Sequence, residues 1–121
     1  MSEYHKIFIR TDVDVETLVG DLSLAVGAEL RELGGPEASC GEYAYGGTIG
    51  DHVIEIMLQH EYDEDFGIPF PEYPVEVTFR NIHSDKEQER VFAESVLNKL
   101  GEKGCSALLV FGLSRLLGRR P

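Results

Sequence analysis

The stretch Tyr73-Pro74-Val75-Glu76-Val77-Thr78-Phe79-Arg80 has the clearest periodicity in the chain. Its apolar side chains occupy every second position from Tyr73 to Phe79, and polar side chains stand between them at residues 76, 78 and 80. A period of two predicts a β-strand with one face against a core and the other toward water. The stretch therefore predicts a sheet with its apolar layer on one side.

Two amphipathic helices flank the strands of this predicted sheet. The first follows Thr11-Asp12-Val13-Asp14, which supplies a capping oxygen and acidic groups, and it ends at Gly34-Gly35-Pro36. The second begins at a capping box, Ser84 with Glu87 three residues later, and ends near Gly101. Apolar residues recur at helical spacing in both: Val15, Leu18, Leu22, Ala25, Val26 and Leu33, then Phe92, Ala93, Val96, Leu97 and Leu100.

Four more segments are predicted as strands, at residues 6–10, 40–45, 52–59 and 106–111. A turn is expected at residues 46–51, and a short closing helical turn at Leu113, Leu116 and Leu117. The order β-α-β-β-β-α-β predicts a single α+β domain over residues 1–121. Both helices should pack on one face of a mainly antiparallel sheet, with a ferredoxin-like core as one variant. The other face is expected to meet water through Glu55, Gln59, Glu76, Thr78 and Arg80.

The chain is strongly acidic, with 22 acidic and 11 basic residues among 121 and a net charge of −11. Residues 1–84 hold 17 acids and 4 bases, whereas residues 85–121 hold 5 acids and 7 bases. Such a surface repels nucleic acid and anionic membranes and attracts basic partners. The N-terminal stretch lacks a signal-peptide core, no apolar run is long enough to span a membrane, and two cysteines are too few for a disulfide framework. We therefore expect a cytoplasmic protein.

Residues 60–74, which we call the acidic loop, have an unusual composition. The segment His60-Glu61-Tyr62-Asp63-Glu64-Asp65-Phe66-Gly67-Ile68-Pro69-Phe70-Pro71-Glu72-Tyr73-Pro74 contains four aromatic residues, three prolines and five carboxylates. A stiff loop of this length in a small domain is more often functional than a simple connection. Because a core has no evident need for it, we expect it on the surface.

Motifs for catalysis or cofactor binding are absent from the sequence. His60, Asp63 and Asp65 offer metal donors, but the segment lacks the later ligands of a calcium loop and the spacing of a zinc site. Cys40 and Cys105 fall on predicted strands, where a free cysteine is usually a small buried hydrophobe. No Gly-x-Ser-x-Gly motif is present, and no helix follows the glycine-rich turn to hold a phosphate. We expect no enzymatic activity, no metal and no cofactor.

The chain resembles the small acidic immunity proteins of bacterial polymorphic toxins, including those of contact-dependent growth inhibition systems. The resemblance rests on a short N-terminal strand that leads through residues 10–14 into a helix, and on Glu61-Tyr62-Asp63 and Phe70-Pro71-Glu72-Tyr73-Pro74 before a strand. A capped second helix and a terminal strand complete it. The resemblance implies a protein without an active site that binds and neutralises a cognate toxin domain, often a basic nuclease, in the cytoplasm.

On this hypothesis the acidic loop is the partner-binding surface, and the protein is a monomer or a weak homodimer. Interface hot spots favour aromatic anchors, and acidic groups speed the encounter with a basic surface. The aromatic anchors would be Tyr62, Phe66, Phe70 and Tyr73, and the carboxylates that attract the partner would be Asp63, Glu64, Asp65 and Glu72. Two alternatives remain: a small enzyme or ligand-binding domain that uses the open sheet face, and a homo-oligomeric structural module that pairs through that face.

Overall fold

The computed structural model describes residues 3–121, so the first two residues of the N-terminal stretch lie outside the described part. Within residues 3–121, seven strands and two α-helices follow one another, with short 3-10 turns at Gly35–Glu37 and Phe70–Glu72. The elements are β1 (His5–Arg10), α1 (Val15–Val26), β2 (Arg31–Glu32), β3 (Tyr43–Ile49), β4 (His52–Met57), β5 (Val75–Asn81), α2 (Lys86–Glu102), β6 (Ser106–Phe111) and β7 (Arg115–Arg120). The predicted α+β class and element order are confirmed, with β2 and β7 as additional strands.

One sheet contains all seven strands in the order β2-β3-β4-β5-β1-β6-β7, and every pairing is antiparallel. β1 therefore lies between β5 and β6, and β5 lies between β1 and β4. Helix α2 connects β5 to β6, two parallel strands separated by β1, which is the split β-α-β arrangement of ferredoxin-like cores. Helix α1 leads from β1 to the edge strand β2, with three strands between them. The strand with the clearest alternation in the sequence, β5, occupies the middle of the sheet.

Both helices contribute to one core on the same face of the sheet. Leu18, Leu22, Ala25 and Val26 of α1 are buried with Ala93, Val96, Leu97 and Leu100 of α2. From the sheet, the core includes Ile7, Ile9, Ile54, Ile56, Val75, Val77, Phe79, Ala107 and Leu109. The alternation predicted for β5 is confirmed on this face, because Val75, Val77 and Phe79 all point into the helix layer.

The first helix is shorter than its sequence predicts. It begins with Asp14 as its cap, whose Oδ1 accepts a hydrogen bond from the Thr17 N–H at 2.8 Å. It ends at Gly27, which has a φ of 80° and whose N–H donates to the Ser23 carbonyl. Glycine readily adopts this left-handed conformation, so the helix stops there and not at residues 34–36. Leu33 consequently lies outside the helix and is exposed.

The glycine-rich segment predicted as a turn is the second half of strand β3. A Cβ at Gly47 would lie 2.8 Å from the Glu29 carbonyl oxygen, so only glycine lets the chain before β2 pass this close. The glycines serve close packing of backbones. The turn follows at Gly50–Asp51, and Cys40 lies in a turn before β3, exposed and outside the strand predicted for it.

Two smaller predictions, for the start of α2 and for the C-terminal segment, were also wrong. Asp85, not Ser84, caps α2, because its Oδ1 accepts the Gln88 N–H while Ser84 has a φ of 58°. Residues 115–120 form the edge strand β7 and not a helical turn. Gly118 lets β7 pack closely against α2, because a Cβ at this position would lie 2.9 Å from a side-chain carbon of Leu97.

Candidate functional site

The acidic loop folds back over the face of the sheet that has no helices. Ile68, Phe70 and Tyr73 are buried there against Phe8 of β1 and against Leu108 and Val110 of β6. The ring centroids of Phe8 and Phe70 lie 4.8 Å apart in an edge-to-face arrangement. The expectation that no core needs this loop was wrong, because the loop supplies half of a second core. The uncovered apolar surface of Phe8, Leu108 and Val110 is the physical reason.

His60 joins the two ends of the acidic loop. Its Nε2 lies 3.0 Å from the Phe70 carbonyl oxygen and 2.7 Å from the Tyr73 carbonyl oxygen, and its Nδ1 accepts the Tyr62 N–H at 3.0 Å. The proton therefore belongs on Nε2 and the lone pair on Nδ1. Since both ring nitrogens are bonded to the backbone, neither is left for a metal. His60 is a structural residue of the loop.

The tip of the acidic loop is a tight hairpin between Asp65 and Ile68. These two residues form an isolated antiparallel bridge, and the Ile68 N–H donates to the Asp65 carbonyl at 2.8 Å. The two central residues, Phe66 and Gly67, have φ angles of 51° and 73°. A positive φ is uncommon for a bulky residue such as phenylalanine and is a source of backbone strain. Phe66 is nevertheless 69% exposed, so its side chain faces solvent without a packing role.

The structure separates the eight residues predicted to bind a partner into three groups. Phe70 and Tyr73 are 1% and 3% exposed and have almost no surface to offer a partner. Glu72 is exposed but lies beside Arg10, with 3.6 Å between the charged groups, and that guanidinium also lies over the Tyr73 ring. The remaining five lie together toward the tip: Tyr62, Asp63, Glu64, Asp65 and Phe66. Phe70 and Tyr73 were wrong as surface anchors, because the second core needs their apolar rings.

A shallow groove of about 160 Å³ runs along this end of the loop. Its walls are Tyr62, Phe70 and Leu113 on the apolar side and the carboxylates of residues 63–65 on the other. All three acidic residues are exposed. The groove therefore combines a partly buried aromatic floor with an acidic rim, a combination suited to a basic side chain with an apolar stem.

A buried ion pair lies on the same face of the sheet and was missed by the sequence analysis. Glu76 is fully buried, and its Oε1 accepts hydrogen bonds from Lys6 Nζ at 2.7 Å and from the Thr78 hydroxyl at 3.1 Å. Among residues 3–121, its Oε2 has no hydrogen-bond partner. The expectation that Glu76 and Thr78 meet water on an open face was wrong. Tyr62 of the acidic loop lies beside Glu76, and Lys6 and Tyr43 lie beside Thr78.

Tyr62 links this ion pair to the groove. Burial, together with the negative charge of Glu76, raises the pKa of the Tyr62 phenol well above its ordinary value, so the hydroxyl stays protonated. Tyr43 lies nearby on β3, and burial likewise raises its pKa, with Glu55 and Glu76 adding to the effect and a hydrogen bond to Thr78 opposing it. The described side chains thus place two neutral phenols around one buried carboxylate in a polar network.

The described part of the chain shows no group of three or more His, Cys, Asp or Glu side chains placed to hold a metal ion. None of its helices has the length and apolar character needed to cross a membrane. In three comparisons, the chain matched no protein-family model, no curated protein and no solved structure.

Proposed function

We propose that this chain is an immunity-type inhibitor that binds a basic toxin domain through the tip of its acidic loop, in the cytoplasm. The observation that carries the proposal is Phe66, an exposed aromatic ring held in a left-handed backbone conformation beside three exposed carboxylates. Glycine at this position would avoid the strain. A bulky residue here costs stability and contributes no packing, as expected of a residue kept for contact with a partner.

The support beneath the tip is rigid, and this favours binding. His60 ties the loop ends together, Phe70 and Tyr73 are fixed in the second core, and prolines precede and follow Phe70. A surface that is ordered before binding loses less conformational entropy in the complex, so more of the contact energy appears as affinity. The roles divide accordingly: Phe66 and the Tyr62 edge would anchor the partner, and Asp63, Glu64 and Asp65 would attract it.

Charge supports a basic partner of this kind. The three carboxylates of the tip have no ion-pair partner within the described residues, whereas Glu72 has Arg10. Carboxylates without internal partners are available to cations of another protein, and they can occupy positions where a nuclease would hold phosphate groups. The loop also covers the apolar centre of the helix-free face, which leaves less surface there for a ligand-binding or self-pairing function.

Affinity capture from the native host tests the proposal. The wild-type chain and Phe66→Ala are compared as baits, and Leu24→Ala is the matched control, because Leu24 is a 70% exposed apolar residue on α1. We expect the wild type and the control to retain a basic protein that Phe66→Ala loses. Expression of that protein alone should arrest growth, and coexpression with the wild-type chain should restore it. Equal capture by Phe66→Ala, or a captured protein without toxicity, would overturn the proposal.

A further inference from the structure

A second cavity, on the opposite side of the sheet from the acidic loop, has the residues of a small-anion site. It has a volume of about 230 Å³ and lies between β1, the first turns of α2 and the hairpin of β6 and β7. Four of its seven lining side chains are basic, His5, Lys86, Arg90 and Arg115, and one is acidic, Glu87. This balance reverses that of the whole chain, in which acids outnumber bases by 22 to 11.

The floor of the cavity is His5, which is paired with a buried carboxylate. His5 is 3% exposed, and its Nδ1 lies 2.7 Å from Oε1 of the fully buried Glu89. Glu89 also accepts the backbone N–H groups of His5 and Asn81, so it is held as an acceptor and Nδ1 carries the proton. Among residues 3–121, His5 Nε2 has no hydrogen-bond partner, and the ring lines the cavity. This nitrogen is therefore available as a hydrogen-bond acceptor.

The basic groups around the floor differ in how far they are already paired. Lys86 Nζ donates to the Glu3 carbonyl and lies 3.4 Å from Glu89 Oε2, which fixes its position at the cavity. Arg90 uses its Nε for Glu94, which leaves the terminal guanidinium nitrogens unbonded within the described residues. Arg115, at the start of β7, has no ion pair within residues 3–121. A doubly charged anion fits three such cations better than a single carboxylate does.

The remaining wall of the cavity is apolar. Phe111 lies with its ring centroid 4.7 Å from that of His5, and Leu117 adjoins it. The volume is below the usual range for drug-sized ligands, which is about 300–1,000 Å³. The ligand must then be small, with a charged end and a short apolar or ring portion.

From these contacts we propose that this cavity binds a small phosphorylated organic molecule. Its phosphate group interacts with Arg115, Arg90 and Lys86, and the organic portion packs on the rings of Phe111 and His5. Glu87 opposes the anion and limits its affinity. The site is separate from the acidic loop and does not depend on the function proposed for it.

Titration followed by NMR tests the site, with phenyl phosphate as the probe and inorganic phosphate, benzoate and phenol as comparison ligands. Phenyl phosphate should shift the His5 ring and Arg115 signals of the wild-type protein saturably, and it should bind more tightly than each of the other three. Arg115→Gln should weaken binding about tenfold, and Glu87→Gln should strengthen it several-fold, because charge-assisted contacts dominate. Arg119→Gln, the same change on the opposite face of β7, should have no effect.

Each alternative result would overturn the proposal. Absence of a saturable shift at millimolar phenyl phosphate excludes the site. If benzoate or phenol bound as tightly as phenyl phosphate, the phosphate group would not be what the site recognises. If inorganic phosphate bound as tightly, the apolar wall would not contribute to binding. Equal weakening by Arg115→Gln and Arg119→Gln would indicate attraction by overall charge alone. The His5 signals report on the wild-type protein, so the result does not depend on a substitution in the buried pair.

Discussion

The Nε2 of His60 lies 2.7 Å from the carbonyl oxygen of Tyr73, so one buried imidazole closes a loop of fifteen residues. The same nitrogen reaches the Phe70 carbonyl, and the other ring nitrogen accepts the N–H of Tyr62. The acidic loop is thus held at its base by side-chain to backbone bonds, and only its tip extends beyond the second core. This geometry separates residues that stabilise the loop from residues that can meet a partner.

Replacing His60 by alanine should destabilise the protein by about 3 kcal/mol, because two buried carbonyl groups and the partly buried Tyr62 N–H lose their partner. The measurements are denaturant-induced unfolding and limited proteolysis, which should cut within the acidic loop of the variant first. His83→Ala is the control, since His83 is exposed and should change stability by about 0.5 kcal/mol or less. A resistant loop in His60→Ala would show that core packing alone holds it.

Phe66 and Phe70 should respond in opposite ways to substitution. Phe70→Ala creates a cavity beside Phe8 and should cost about 3–5 kcal/mol of unfolding free energy. Phe66→Gly should leave stability unchanged or raise it by up to about 1 kcal/mol, because it relieves a positive φ and removes no buried contact. Thermal and denaturant unfolding measure both. A large loss of stability in Phe66→Gly would mean that the ring supports the fold.

Removing only one partner of the Lys6–Glu76 ion pair should cause a large loss of unfolding free energy. Lys6→Met leaves a fully buried carboxylate without its cation and should destabilise the protein by about 3 kcal/mol or more. The double variant Lys6→Met with Glu76→Leu removes both charges and should recover much of that loss. A double-mutant cycle by denaturant unfolding measures the coupling. Additive losses would contradict an interaction between the two groups.

Glu89 should make the stability depend on pH in the acid range. Burial acts to raise the pKa of Glu89. This effect is outweighed by hydrogen bonds from the His5 ring and from the N–H groups of His5 and Asn81, together with the positive charge of Lys86, so the pKa lies below 4.5. A lowered pKa in the folded state stabilises the protein above pH 4.5, and this contribution is lost as the pH falls through the folded value. The stability difference between the wild type and Glu89→Gln should therefore be greatest near neutral pH and shrink below pH 4.5. Unfolding measured across that range checks this, and a constant difference would contradict it.

Charge reversal at the loop tip should slow association with the captured partner. Asp63→Lys with Asp65→Lys should lower the association rate mainly at low salt, because exposed charges are screened beyond about 8 Å at physiological ionic strength. Stopped-flow or surface-based kinetics at several salt concentrations measure it. Glu29→Lys with Glu37→Lys changes the net charge equally, away from the loop, and should have a smaller effect. Equal effects of both pairs would assign the attraction to net charge.

The main elements were predictable because local signals agreed with the tertiary environment. The alternation in β5 and the apolar stripe of α2 both matched the helix-side core. The turn predicted at Gly46 and Gly47 was wrong, because the sequence does not distinguish a glycine that allows close packing of backbones from a glycine that allows a turn. Only the position of the Glu29 carbonyl, distant from Gly47 in sequence, distinguishes the two cases.

The second core had a signal in the sequence that pointed to it. Ile7-Phe8-Ile9 and Ala107-Leu108-Leu109-Val110 are apolar at consecutive positions, and a strand of this kind is buried on both faces. Two adjacent strands with this pattern require a cover on the helix-free side, and the acidic loop contains the spare aromatic residues to supply it. The pairing of Lys6 with Glu76 was not predictable, because it depends on β1 and β5 being neighbours in the sheet.

The bridge between Asp65 and Ile68 has a consequence for how the protein can change over generations. The tip encloses only two residues, and none of its exposed side chains contributes to either core. Substitutions there can accumulate without loss of the fold, whereas His60, Phe70 and Tyr73 must persist together. We expect related chains to differ most between residues 63 and 67, so that a new binding specificity can arise on an unchanged scaffold.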